Sequence, residues 1–253
     1  MLFSLRLDET GTDGTSTFTT VGGAVGLISG WSKLERAWDA KLATKEIDAF
    51  HLVDFDQRRG QFEGWSDFKC QLLEKSLSKI VDKNTTFRAA ISIDSAAHAA
   101  IKAKMKGIKG FSPESDYGLC LRFLMYHSCE NLVRIDPDCQ LSILVEDGPW
   151  ASGAATTYQR VAAMTGKWKP VKHAHRLVGF ASLPKGRLRS LEAADFVVGR
   201  EHDRLVAGKS AIKGRETLSH LLSADDLEAW YDGMIEEKAR RRAFGWGGAK
   251  EST

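Results

Sequence analysis

A chain of 253 residues has room for one large domain or two small ones. With 43% hydrophobic and 27% charged residues it has the composition of a globular protein with a sizeable core. A net charge of +3 permits an acidic partner without demanding one. Cys70, Cys120, Cys129 and Cys139 form no CxxC pair and no zinc-finger spacing. With no signal peptide ahead of them they read as reduced, buried thiols of a cytoplasmic protein. The longest uncharged run, Gly14 to Ser32, is too rich in Gly, Ser and Thr to span a bilayer, so no membrane partner is expected.

In chain order, Leu2, Phe3, Leu5 and Leu7 predict a buried first strand that stops on two carboxylates, Asp8 and Glu9, before a turn from Thr10 to Gly14. Thr17 to Ile28 reads as a second strand in a hairpin with the first. Inside it, Gly22 and Gly23 suggest a bulge or a close approach of another backbone. A helix is expected over Ser32 to Leu42, a loop at Phe50 to Asp54, and a long helix over Phe62 to Val81 with Trp65, Phe68, Leu72, Leu73 and Leu77 as its stripe.

Phe87 to Ile93 is the third strand, followed by a basic helix from Ala96 to Lys106 and a very apolar one from Asp116 to Val133. The strand Cys139 to Val145 again ends on paired acids, Glu146 and Asp147. A helix over Ala154 to Met164, a strand over Ala174 to Ser182 and a helix over Leu188 to Val206 come next. Two polar helices, Glu216 to Leu222 and Ala224 to Arg242, close the chain. This order predicts one α/β domain over residues 1–253, with a mixed sheet flanked by helices and a helical insertion between the second and third strands. Its core covers about 1–206, a helical C-terminal extension about 207–242, and a frayed tail 243–253.

Side chains alternate along a strand, so Asp8 and Glu9 point to opposite faces, as do Glu146 and Asp147. Asp8 continues the face of Ser4 and Arg6, and Glu146 that of Gln140, Ser142 and Leu144. Glu9 and Asp147 continue the apolar faces. Parity therefore nominates Asp8 and Glu146 as an inward pair. On the Leu188 to Val206 helix, Glu192, Asp195, Gly199 and His202 share one stripe, and Ala193 and Ala194 allow close packing on a sheet. Glu192 is explained in part by the helix dipole; Asp195, amid Leu191, Ala194, Phe196, Val197 and Val198, is not. Carboxylates from two strand ends and a helix suit Mg²⁺ or Mn²⁺, hard ions that take oxygen ligands. A pair of such ions about 3.5–4 Å apart supports in-line displacement at phosphorus.

Asp8-Glu9-Thr10-Gly11, Phe50-His51 and Leu191-Glu192-Ala193-Ala194-Asp195, in this order, resemble the bacterial and archaeal family catalogued as domain of unknown function 3800. That family is regarded as ribonuclease H-like, opens with Asp-Glu-Ser-Gly and carries a late Gln-x-x-Asp. Thr10 stands here for the Ser and Glu192 for the Gln, the latter adding a negative charge. The resemblance implies a ribonuclease H-like mixed sheet and metal-dependent phosphodiester cleavage, with Asp8, Glu146 and Asp195 as metal ligands. Glu9, Asp147 and Glu192 join them as further candidates, and His51 as a proton shuttle or phosphate contact.

Two basic stretches could neutralise a nucleic-acid backbone: Lys102, Lys104, Lys106 and Lys109, and Lys167, Lys169, Lys172 and Arg176 with His173 and His175. Such runs are ordinarily solvated faces. Trp150, Trp168 and Tyr158 could stack on bases, although packing explains each as well. The chain has no Walker A loop, no GxGxxG after a strand, no HExxH and no GxSxG. The expectation is an Mg²⁺- or Mn²⁺-dependent nuclease; the rival is a non-catalytic nucleic-acid- or protein-binding module on the same fold.

Overall fold

A computed structural model describes residues 1–14, 16–108, 112–164, 172–184, 186–209 and 217–243, the side chains of 237–243 apart. The strands are β1 (Leu2–Thr10), β2 (Phe18–Leu27), β3 (Phe87–Asp94), β4 (Gln140–Glu146), β5 (Leu177–Leu183) and β6 (Thr217–Leu222). They form one sheet in the order β5-β4-β1-β2-β3-β6. Only β2 runs antiparallel to its neighbours; β1 pairs in parallel with β4, β4 with β5 and β3 with β6. The mixed α/β sheet expected from the sequence is present.

The helices are α1 (Ile28–Ala43), α2 (Leu52–Gln57), α3 (Asp67–Asn84), α4 (Ser95–Met105), α5 (Asp116–Ile135), α6 (Ala151–Ala162), α7 (Arg189–Val206) and α8 (Ala224–Ala243). The alternation in β1 decides how they are laid out. Phe3, Leu5 and Leu7 join the core beneath α5, α6 and α8, whereas Arg6 on the other face meets Glu35 of α1 and Ser190 of α7. Trp31, Trp38, Phe50 and Phe196 lead a second core on that side, built from α1, α2, α3 and α7. Sheet and helices thus form three layers with a core on each face. No helix of the described residues is long and apolar enough to cross a membrane. The four cysteines are buried and unpaired.

β1 and β2 pair residue for residue from Phe3↔Leu27 to Thr10↔Thr20, so Gly22 and Gly23 mark no bulge. They mark the close approach: a Cβ at Gly23 would lie 2.0 Å from the Arg6 carbonyl oxygen.

The structure corrects the expected elements in three places. The Phe50 to Asp54 loop gives way at Leu52 to α2, whose amphipathic turn buries Leu52 and Phe55. The helix expected from Phe62 starts only at Asp67, because Ser66 caps it by accepting a hydrogen bond from the Lys69 N–H. Phe62 and Trp65 pack edge to face ahead of it, and the buried stripe is Cys70, Leu73, Leu77 and Val81, with Phe68 and Leu72 exposed. Residues 217–222 are not helical; they form β6 against β3. The C-terminal part is therefore no extension, because α8 buries Leu227, Trp230 and Tyr231 in the core. The expected frayed tail lies outside the described residues, apart from Ala243 at the end of α8.

Candidate active site

The carboxyl ends of β1 and β4 lie side by side where the chain leaves β1 in one direction for β2 and leaves β4 in the other for β5. In open α/β sheets such a switch point opens a crevice. Here it is a cleft of about 530 Å³ lined by Asp8, Glu9, His51, Asp54, Glu146, Asp147 and Asp195, with Val53, Tyr117, Gly148, Pro149 and Trp150 completing its walls. Among the described residues, six carboxylates and no lysine or arginine line this space.

Each acid arrives by a distinct local cause. The parallel register sets Leu7 beside Val145, so Asp8 and Glu146 come next in step, on the face that α7 covers. Glu9 and Asp147 fall on the α5 face, yet they line the cleft too, because it opens past the strand ends rather than over one face. That widens the inward pair nominated by parity. The Asp147 N–H donates to the Leu183 carbonyl at 2.7 Å, tying this end of β4 to β5.

Asp195, half-buried on α7, accepts a hydrogen bond from the Leu52 N–H at 2.9 Å and so joins α7 to α2. His51 and Asp54 reach the cleft from the two sides of Leu52. Gly199 makes this junction possible: a Cβ there would lie 2.0 Å from Leu52 Cδ2. Gly199→Ala sets the displacement of Leu52 against a gain of about 1 kcal/mol in helix propensity, so it should lower stability by about 1 kcal/mol or less. Combined with Leu52→Ala it should be less harmful than the sum of the two single changes. Denaturant midpoints of the three variants check this.

Burial holds the Asp8 carboxyl well above the usual Asp range, and the charges of Asp195, Glu9 and Glu146 push it further. These effects outweigh the opposing hydrogen bond, 2.9 Å long, that the Glu9 N–H donates to Asp8. Burial also raises the Tyr117 phenol, with Glu9 and then Asp8 adding to it. Tyr117 thus stays a neutral O–H, its ring stacked on Trp150 at 5.4 Å.

Glu192 does not line the cleft. It is 5% exposed and accepts from Trp38 Nε1 and the Phe50 N–H, both at 3.1 Å, and from Arg189 Nη1 at 2.6 Å. It latches α7 to α1 and to the segment before His51, and its negative charge is neutralised by Arg189. His202, the far end of the stripe, meets Thr20 Oγ1 at 2.8 Å, and burial lowers its pKa.

The described residues of the basic stretches do not line the cleft. Lys102 pairs with Asp116 at 2.9 Å, Lys104 pairs with Glu228, and Lys106 and Lys172 are exposed elsewhere. Arg176 is half-buried beside β5. Lys109, Lys167, Trp168 and Lys169 lie outside the described residues. Trp150 faces the cleft, while Tyr158 packs on Phe180 at 5.5 Å. Asp54 and Tyr117 are site residues that pattern reading missed. Asp54 had a weak signal, three residues after His51; Tyr117 had none.

Among the described residues, no three Asp, Glu, His or Cys side chains stand as a formed metal-binding group. The chemistry of the donors nevertheless suits a hard divalent cation, since it offers carboxylate oxygens and excess negative charge. No protein-family model, curated protein or solved structure matches this chain.

Proposed function

We propose that this chain is an Mg²⁺- or Mn²⁺-dependent phosphodiester hydrolase, a nuclease on a ribonuclease H-like sheet. One observation carries the reading: among the described residues six carboxylates and no lysine or arginine line the cleft, a lining that suits a phosphate accompanied by cations. The strand order, with β1 between antiparallel β2 and parallel β4, is compatible with such a sheet.

Asp8, Glu146 and Asp195 would hold the metal. Bound there, it would neutralise phosphate charge and acidify the attacking water. The Leu52 N–H donates to Asp195 and so fixes this carboxylate where it lines the cleft. His51, at the rim, can give a proton to the leaving oxygen. Tyr117 and Trp150 form a wall against which a ribose or base can rest.

Incubation of single-stranded and duplex oligonucleotides with Mg²⁺ or Mn²⁺ is expected to yield cleavage that EDTA abolishes. Cleavage indifferent to EDTA, or no cleavage with either ion, would refute the reading.

A further inference from the structure

We infer that the groove between α1 and α3, remote from the acidic cleft, docks the phosphodiester backbone of the nucleic-acid substrate. It has a volume of about 600 Å³ and is lined by Lys33 and Arg36 of α1, Lys79 and Lys83 of α3, and by Ala37, Ile80 and Asn84. All four cations are exposed.

The acids of these two helices are turned elsewhere. Glu35 pairs with Arg6 at 2.5 Å, Asp39 with Arg189 at 2.6 Å, Glu74 with Arg200 at 2.8 Å and Asp82 with Arg88 at 2.9 Å, while Asp67 pairs with Arg58. Each acid is thus matched by an arginine from outside the groove, and none of the four groove cations takes part in an ion pair among the described residues. The dipole of α3 explains Lys83 in its last turn. It does not explain Lys33, in the first half of α1, or Arg36, at its middle, in a helix with no acid in its first turn. Neither lies in the last turn, where a cation would offset the negative end of the helix.

The form of the groove selects the ligand. Lys79 and Lys83, one helical turn apart, are about 6 Å from each other along α3, and Lys33 and Arg36 make a second row on α1. Two facing rows of cations suit a repeating charge better than a single phosphate. With only Ala37 and Ile80 as apolar lining and no aromatic ring, the groove gives a protein partner no anchor and a base no stacking surface. Recognition is therefore of the backbone and independent of sequence. The assignment rests on the hydrolase reading, because a cleft of six acids repels the strand it would cut and needs that strand held elsewhere.

Binding of a labelled single-stranded oligonucleotide in EDTA, followed by anisotropy over a salt series, tests the groove. The variant K33A/R36A/K79A/K83A should lose roughly tenfold to a hundredfold in affinity at moderate salt, and its slope of log affinity against log salt should flatten by up to about 2.8. The reversal Lys79→Glu with Lys83→Glu should weaken binding further, and circular dichroism checks that both variants fold. With Mn²⁺, the quadruple variant should raise KM and leave kcat unchanged. No binding by wild type, an unchanged slope in the folded variant, or equal competition by a poly-glutamate peptide would overturn the inference. Groove-dependent binding without hydrolysis would overturn the hydrolase reading and leave the groove standing. Hydrolysis with an unchanged KM in the quadruple variant would do the reverse.

Discussion

Asp8→Asn is expected to reduce Mn²⁺-dependent hydrolysis on the order of a hundredfold or more while leaving the metal-free protein as stable as wild type, or more so. The activity loss follows if Asp8 holds the metal, since removing a ligand forfeits several kcal/mol of transition-state stabilisation. The stability gain follows from the sign of the Asp8 shift, which burial, Asp195, Glu9 and Glu146 all drive upward. An acid whose folded pKa lies above its unfolded value favours folding at low pH. It loses that contribution as pH climbs from about 4 through the raised value. Wild type should therefore fall behind Asp8→Asn as pH rises above about 4, in the presence of EDTA.

Asparagine keeps an oxygen for the Glu9 N–H, so the end of β1 is not disturbed. Saturating Mn²⁺ reverses the ranking: at a hundred times its dissociation constant it adds about 2.7 kcal/mol, or roughly 5–10 °C of midpoint, to wild type only. Asp195→Asn should behave alike, because its oxygen can still accept from Leu52. If both variants are destabilised without metal and wild type ignores Mn²⁺, these carboxylates serve the fold and not a cation.

The largest loss of stability is expected from Glu192→Ala. It would strand the Trp38 and Phe50 N–H groups in the core and remove one of the two carboxylates that pair with Arg189, leaving Asp39. Stranding two buried N–H donors costs about 2–4 kcal/mol, which for a chain of this size is about 4–16 °C of midpoint. Glu192→Gln should be milder, about 1–2 kcal/mol, since one oxygen still serves both N–H donors. It should retain hydrolysis, because residue 192 faces α1 and not the cleft. Thermal melts and turnover of the two variants decide this. A stable Glu192→Gln that no longer binds Mn²⁺ would make Glu192 a metal ligand.

The acids at the ends of β1 and β4 were legible because each apolar strand runs straight into adjacent carboxylates, a pattern with few structural explanations. Asp195 was legible for a similar reason, as an acid within an apolar stripe. Glu192 belonged to the same stripe, but periodicity cannot tell which of two acids one turn apart meets a tryptophan and which meets a cleft. β6 was missed because Thr217 to Leu222 has neither a run of β-branched residues nor strict alternation; its pairing with β3 is decided across the fold. The groove cations were missed because Lys33 and Arg36 stand more than forty residues before Lys79 and Lys83, and only helix packing brings them together.

β6 also bears on how the chain is made. About 130 residues separate the end of β3 from the end of β6. At roughly 5–20 residues per second, a ribosome needs about 6–26 seconds to cover that interval. Throughout it, the nascent β3, with Phe87, Ala89, Ile91 and Ile93 along one face, has no partner on its outer edge. An apolar strand with an open edge is a template for pairing with another copy. The open edge thus persists until residue 222 has been made, and a chaperone that shields β3 would help most in that interval.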